Sequence, residues 1–121
     1  MHQELVQIIE DASTNKAQFQ AVLGVIHRHY ECVPGPFVTG KGTGRAVVNA
    51  AGSNSASCCL LAFAQRLRLD EATTVALYGE HYRAVLADPD GSAHGNIRAF
   101  MATGWAGVSL PENVLRLRGP A

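Results

Sequence analysis

Ten acidic and ten basic side chains cancel in this 121-residue chain, so it has no net charge to work with. Only two of the ten basic residues are lysines, and Arg66 with Arg68 and Arg116 with Arg118 form short local pairs that read as solvated surface. Without a basic face there is no footprint for nucleic acid or for an anionic membrane. No apolar run approaches the ~20 residues that a membrane helix needs. The start, Met1-His2-Gln3-Glu4, is neither cationic nor apolar and does not resemble a signal peptide. Cysteine is scarce too: Cys32, Cys58 and Cys59 are an odd count, two of them adjacent, without Cys-x-x-Cys spacing. That pattern predicts neither a disulfide framework nor a zinc site, and it suggests reduced thiols in a reducing compartment. Neighbouring cysteines on a helix point about 100° apart and pair only with strain.

Several catalytic signatures are also missing. There is no Gly-x-Ser-x-Gly elbow and no Cys-His signature of a known protease. Lys41-Gly42-Thr43 lacks the upstream glycine spacing of a phosphate loop and no helical pattern follows it. The histidines lack the i, i+3 or i, i+4 spacing of helical metal pairs; His27 and His29 diverge on their helix, and His81 is expected to face solvent. Neither a metal nor a cofactor is expected.

What remains is a chain with 47% hydrophobic and 17% charged residues, enough for one globular domain over residues 1–121. Apolar spacing predicts a helix over 3–12 and a second from about Phe19 through Tyr30, stopped by Cys32-Val33-Pro34-Gly35-Pro36. Phe37-Val38-Thr39 and Arg45-Ala46-Val47-Val48, separated by glycine-rich turn residues, predict a hairpin over 37–48. A third helix follows Asn54 or Ser55, with Leu60, Phe63, Ala64 and Leu67 on one face. A fourth starts at Asp70 and runs on through Val75, Tyr78, Tyr82, Val85 and Leu86; a fifth spans about 93–103 and ends at Gly104. Alternation around Ser109 and Arg116 suggests a second hairpin over 107–117. The expected fold is mainly α: about five helices in one compact domain with one or two short β-hairpins. Its expected core is Phe19, Leu23, Ile26, Leu60, Phe63, Tyr78, Tyr82, Val85, Ile97, Phe100 and Met101.

Two stretches concentrate polar chemistry. Asn49 through Cys58 leads into a helix, where backbone N–H groups can hold an anion and a first-turn thiolate is favoured. The structural alternative has Asn49 and Asn54 bonding loop backbone while Cys58 packs in the core. The second stretch is His94-Gly95-Asn96-Ile97-Arg98, in which His94 and Arg98 share a helical face. There the structural alternative is a helix cap and an ion pair. Helices three and five must turn their apolar faces to one core, so the 49–58 loop is expected to meet the 94–98 segment. The candidate binding residues are Asn49, Asn54, Ser57, His94, Asn96 and Arg98, facing a small carboxylate- or phosphate-bearing ligand or a protein partner; the candidate catalytic pair is Cys58 as nucleophile and His94 as base.

Together these stretches resemble the HopJ family, whose name comes from a type III effector of plant-pathogenic bacteria. The resemblance rests on Asn49-Ala50-Ala51-Gly52 with Asn54, Ser57 and Cys58, then on Phe63-Ala64, Tyr82-Arg83 and Val85-Leu86. It continues through Pro89, Gly91, His94, Asn96-Ile97-Arg98, Phe100-Met101 and Gly104-Trp105 with Gly107, so it covers about residues 19 to 110. Where the family tends to read Asn-Glu-Gly-Ser-Cys-Lys, this chain has Asn54-Ser55-Ala56-Ser57-Cys58-Cys59, and Gly95 replaces the usual Gln. An acid and a base of that stretch are therefore missing. The resemblance implies secretion into a host cell, but similar proteins are common in bacteria that are not pathogens, so the bacterial cytoplasm is an equal expectation. It implies no particular reaction. A non-enzymatic binding or interaction module is the first reading; a small Cys58/His94 enzyme is the alternative.

Overall fold

Leu5, Ile8 and Ala12 recur at helical spacing and form the buried stripe of α1 (Gln3–Ser13) in the computed structural model, which describes residues 2–119. The His2 ring caps this helix: its Nδ1 accepts the Glu4 N–H at 3.1 Å. Helix α2 (Phe19–His29) buries Phe19, Val22, Leu23, Val25 and Ile26. It ends one residue before the Tyr30 assigned to it by periodicity, because Tyr30–Cys32 is strand β1. Then come β2 (Phe37–Thr39), β3 (Val47–Asn49) and α3 (Ser55–Arg66). Helices α4 (Glu71–Ala76), α5 (Glu80–Ala87) and α6 (Gly95–Thr103) lead into a 3-10 turn at Gly104–Gly107 and strand β4 (Leu115–Leu117).

The domain is mainly α, with six α-helices and two small antiparallel sheets among the described residues. The sixth helix arises because the expected fourth is two. Asp70 caps α4 as expected, its Oδ1 accepting the Thr73 N–H at 2.7 Å. The chain then turns through Leu77–Gly79 before α5 begins. Gly79 sits at φ +62°, and a Cβ there would lie 2.7 Å from the Ala17 carbonyl oxygen and 2.9 Å from the Phe19 nitrogen. Glycine permits both the left-handed backbone and the close passage of the segment entering α2. This break shifts the helical phase between Tyr78, which is buried, and Tyr82, which is only half-buried.

The first hairpin forms as expected, β2 against β3, with Phe37 opposite Asn49 and Thr39 opposite Val47. The 107–117 hairpin does not form. Strand β4 pairs instead with β1, Tyr30 opposite Leu117 and Cys32 opposite Leu115, while Ser109 bridges Val38 of β2. Alternation locates an extended segment but not its partner. Beyond the end of α2 the chain needs new hydrogen-bond partners, and the 114–117 segment supplies them, with the Val33 N–H reaching the Val114 carbonyl at 2.7 Å.

Phe63, Phe100, Ile26, Leu60, Leu61 and Leu77 lie at the centre of the core. Of the expected core residues, Met101 is 46% exposed, because α6 turns Asn96, Ile97, Ala99 and Phe100 inward and carries Met101 around to solvent. The cysteine expectation is overturned. Cys32 at the end of β1 and Cys59 on α3 are joined in a disulfide, with Cα atoms 6.1 Å apart. The divergence of neighbouring cysteines on a helix still holds: Cys59 faces β1, while Cys58 turns into the core and stays free. A reducing compartment therefore cannot be inferred from unpaired thiols.

Candidate functional site

The first turn of α6 is tied to the β2–β3 hairpin by a buried knot of polar side chains. Thr39 Oγ1 donates to Asn96 Oδ1 at 2.6 Å. Asn49 and Asn96 exchange amide hydrogen bonds at 3.0 and 2.9 Å, and Asn49 Nδ2 also reaches the Phe37 carbonyl at 3.2 Å. Asn54 Nδ2 completes the set by donating to Asn49 Oδ1 at 2.8 Å. Thr39, Asn49 and Asn96 are buried, so every partner matters. This knot brings the 49–58 loop and the 94–98 segment together.

Beside it opens a cavity of about 360 Å³. Asn54, Ala56 and Ser57 from the start of α3 line one side; His94, Gly95, Asn96 and Ile97 from the start of α6 line another; Phe19, Val47, Tyr78 and His81 close the wall. Four of the expected binding residues, Asn54, Ser57, His94 and Asn96, thus reach one cavity. Asn49 lies just behind it in the knot. Arg98 is elsewhere: its Nε donates to the Ala93 carbonyl at 2.6 Å and its NH1 to the Pro89 carbonyl at 3.2 Å, so it laces the turn before α6.

Both helix starts are uncapped. Asn54 and His94 occupy the N-cap positions of α3 and α6, yet both have left-handed backbones (φ 53° and 58°) and neither side chain bonds a first-turn N–H. A capping side chain normally acts from extended backbone, so this geometry turns it away from the helix end. The first-turn N–H groups carry the positive end of the helix dipole, and Ala56, Ser57, Gly95 and Asn96 bring two such ends to one cavity.

The aromatic wall is a chain of contacts. Tyr78 and Phe19 stack with ring centres 5.8 Å apart, Phe19 meets His81 edge-on at 4.8 Å, and His81 lies 4.8 Å from His94. Tyr78 OH donates to Ser57 Oγ at 3.0 Å. Burial raises the phenol pKa well above its ordinary value, only partly offset by that bond, so Tyr78 is a neutral donor. Phe19 is held by Glu80, whose carboxylate accepts the Phe19 N–H at 2.7 Å. That bond lowers the Glu80 pKa. Phe19, Tyr78 and His81 were not among the residues expected in the site. The expectation that His81 faces solvent fails: after the turn at Gly79, α5 sets His81 against Phe19 and His94, and that glycine is the sign the sequence offers of the break.

Cys58 is placed differently. Its side chain is fully buried and it does not line the cavity that His94 borders. Burial raises its thiol pKa, with a partial offset from the Gly35 backbone N–H. A helix start favours the thiolate, but desolvation is the larger effect here.

The fold and this polar knot define a small α-helical domain with one cavity at two helix starts. The HopJ type III effector protein family matches residues 2–115, and the chain belongs to that family. It is also similar to a solved structure titled "Crystal structure of unknown function protein VPA0580", with 32% identity and a TM-score of 0.84 over 98% of this chain and 97% of that one. A comparison with curated proteins finds no match. Among the described residues no helix is long and apolar enough to cross a membrane.

Proposed function

We propose that this HopJ-family protein is a non-enzymatic binding module whose cavity takes a carboxylate or phosphate group. The observation that carries the reading is the convergence of two uncapped helix starts, α3 and α6, on one cavity. Backbone donors in a first turn seek an acceptor, and an anion satisfies several at once. His81 and His94 add ring N–H donors beside them, while Phe19 and Tyr78 offer an apolar face to the rest of a ligand. Lys and Arg are absent from the lining, which favours a single anionic group over a highly charged ligand. The sealed Cys58 gives no support to the alternative Cys58/His94 enzyme.

Membership in an effector family supports an anionic group carried by a host protein; a free small anion is the other source of the same chemistry. Thermal melts separate the two. Inorganic phosphate and simple carboxylates form one arm, and short peptides bearing Glu or phosphoserine form the other. A ligand at about ten times its Kd stabilises by about 1.4 kcal/mol, a rise in Tm of roughly 5 °C. His94→Asn, which tolerates the left-handed backbone, should keep the unliganded Tm but reduce the rise. No rise in either arm rejects the reading. Delivery into a host cell, as against residence in the bacterial cytoplasm, is testable with a translocation reporter fused to the chain; the effector reading requires transfer that depends on the type III system.

A further inference from the structure

The far end of α2, about 15 Å from the cavity by helix length, carries a second cluster that the binding reading does not use. The His29 imidazole closes α2 and its Nε2 is buried without a hydrogen-bond partner. It faces Glu4 Oε2 at 3.9 Å, and the His2 ring centre lies 4.3 Å from its own. One ligand atom from each of His2, Glu4 and His29 falls within 4.8 Å of the others. Buried imidazole nitrogens are normally satisfied, so an orphan among a second imidazole and a carboxylate calls for an acceptor of lone pairs. We propose that His2, Glu4 and His29 bind a divalent cation of the zinc, cobalt and nickel group.

Two imidazoles and a carboxylate are the donor set such borderline cations prefer, and a tetrahedral ion would keep its fourth position for water. His2 is exposed at the start of α1, so its side chain can rotate to close the remaining separations. Arg28 orients the carboxylate, with NH2 and Nε at 2.7 and 2.8 Å from Glu4 Oε2, and Oε1 remains available to the ion. Ligation changes one existing bond. His2 Nδ1 accepts the Glu4 N–H. A metal-bound neutral ring carries its proton on the other nitrogen, so whichever nitrogen binds the ion, Nδ1 no longer serves as the cap. The ion then takes over the cap's work and fastens the start of α1 to the end of α2.

The test is titration of the intact chain with Zn²⁺ by calorimetry and with Co²⁺ by visible absorption. The expected result is one ion per chain, a Co²⁺ d–d band of a low-coordinate site, and affinity reduced about tenfold or more in both His2→Gln and His29→Gln. His27→Gln, on the same helix but outside the cluster, should bind like the parent. His2 is exposed and its hydrogen bond is the α1 cap alone, so its variant disturbs only the helix start and remains informative even if His29→Gln alters the metal-free melt. Equal binding by the parent and His2→Gln overturns the proposal, as does the lack of saturable uptake.

Discussion

Asn96 does two things at once: its side chain joins the buried knot, and its residue borders the cavity. Asn96→Ala removes the acceptor of the buried Thr39 hydroxyl and both bonds to Asn49, leaving that hydroxyl unpaired and Asn49 with only its backbone and Asn54 partners. The expected cost is roughly 2–3 kcal/mol in urea melts. Arg98→Ala loses two bonds from a partly exposed side chain to turn carbonyls, and should cost about 1 kcal/mol while leaving anion binding unchanged. If Arg98→Ala abolishes binding with no loss of stability, the assignment of Arg98 to the turn is wrong. The polar composition of 49–58 and 94–98 was enough to bring these residues under suspicion. It could not separate their roles, because whether an amide faces a cavity or another amide depends on where the chain folds back.

At the level of elements, the Leu77–Gly79 turn decides where the aromatic wall stands. Gly79→Ala forces a Cβ against backbone of the Ala17–Phe19 segment in a left-handed conformation. It should destabilise by more than about 2 kcal/mol in denaturant melts, since neither the contact nor the strain has a flexible way out. A near-neutral result would show that the turn can be rebuilt as continuous helix. Glu80, one residue on, holds the start of α2 through the Phe19 N–H. Its carboxyl pKa is lowered on folding, so its contribution is fully present above the unfolded value of about 4.3 and is lost as pH falls through the folded value. Glu80→Gln should therefore lose stability at neutral pH and melt with a shallower acid dependence below about pH 4. Helical periodicity made α1, α2, α3 and α6 legible. It missed the break at Gly79 because Val75, Tyr78, Tyr82 and Val85 keep their spacing straight across it. Likewise the 108–110 and 115–117 alternations were visible, but their partners, β2 and β1, are set by tertiary folding.

Over the whole molecule, the Cys32–Cys59 bond is the feature least visible in sequence. It joins a strand after α2 to the first half of α3, and an odd, partly adjacent cysteine count gives no hint of that pairing. With 27 residues of separation, the chain-entropy treatment puts its contribution at about 3–4 kcal/mol. Denatured, unreduced protein should show one reactive thiol, from Cys58, and Cys32→Ser should lower the unfolding free energy by that amount. Three reactive thiols would remove the crosslink from the account.

The central claim is that α3 and α6 open their free N–H groups onto one anion-binding cavity. The most direct measurement is an amide ¹H–¹⁵N titration with inorganic phosphate, followed residue by residue at constant ionic strength. Saturable shifts concentrated at Ala56, Ser57, Gly95 and Asn96, with the side chains of His81 and His94 moving in step, are the predicted result. Shifts scattered over the surface without saturation, or a cavity whose amides stay still while others respond, would contradict it.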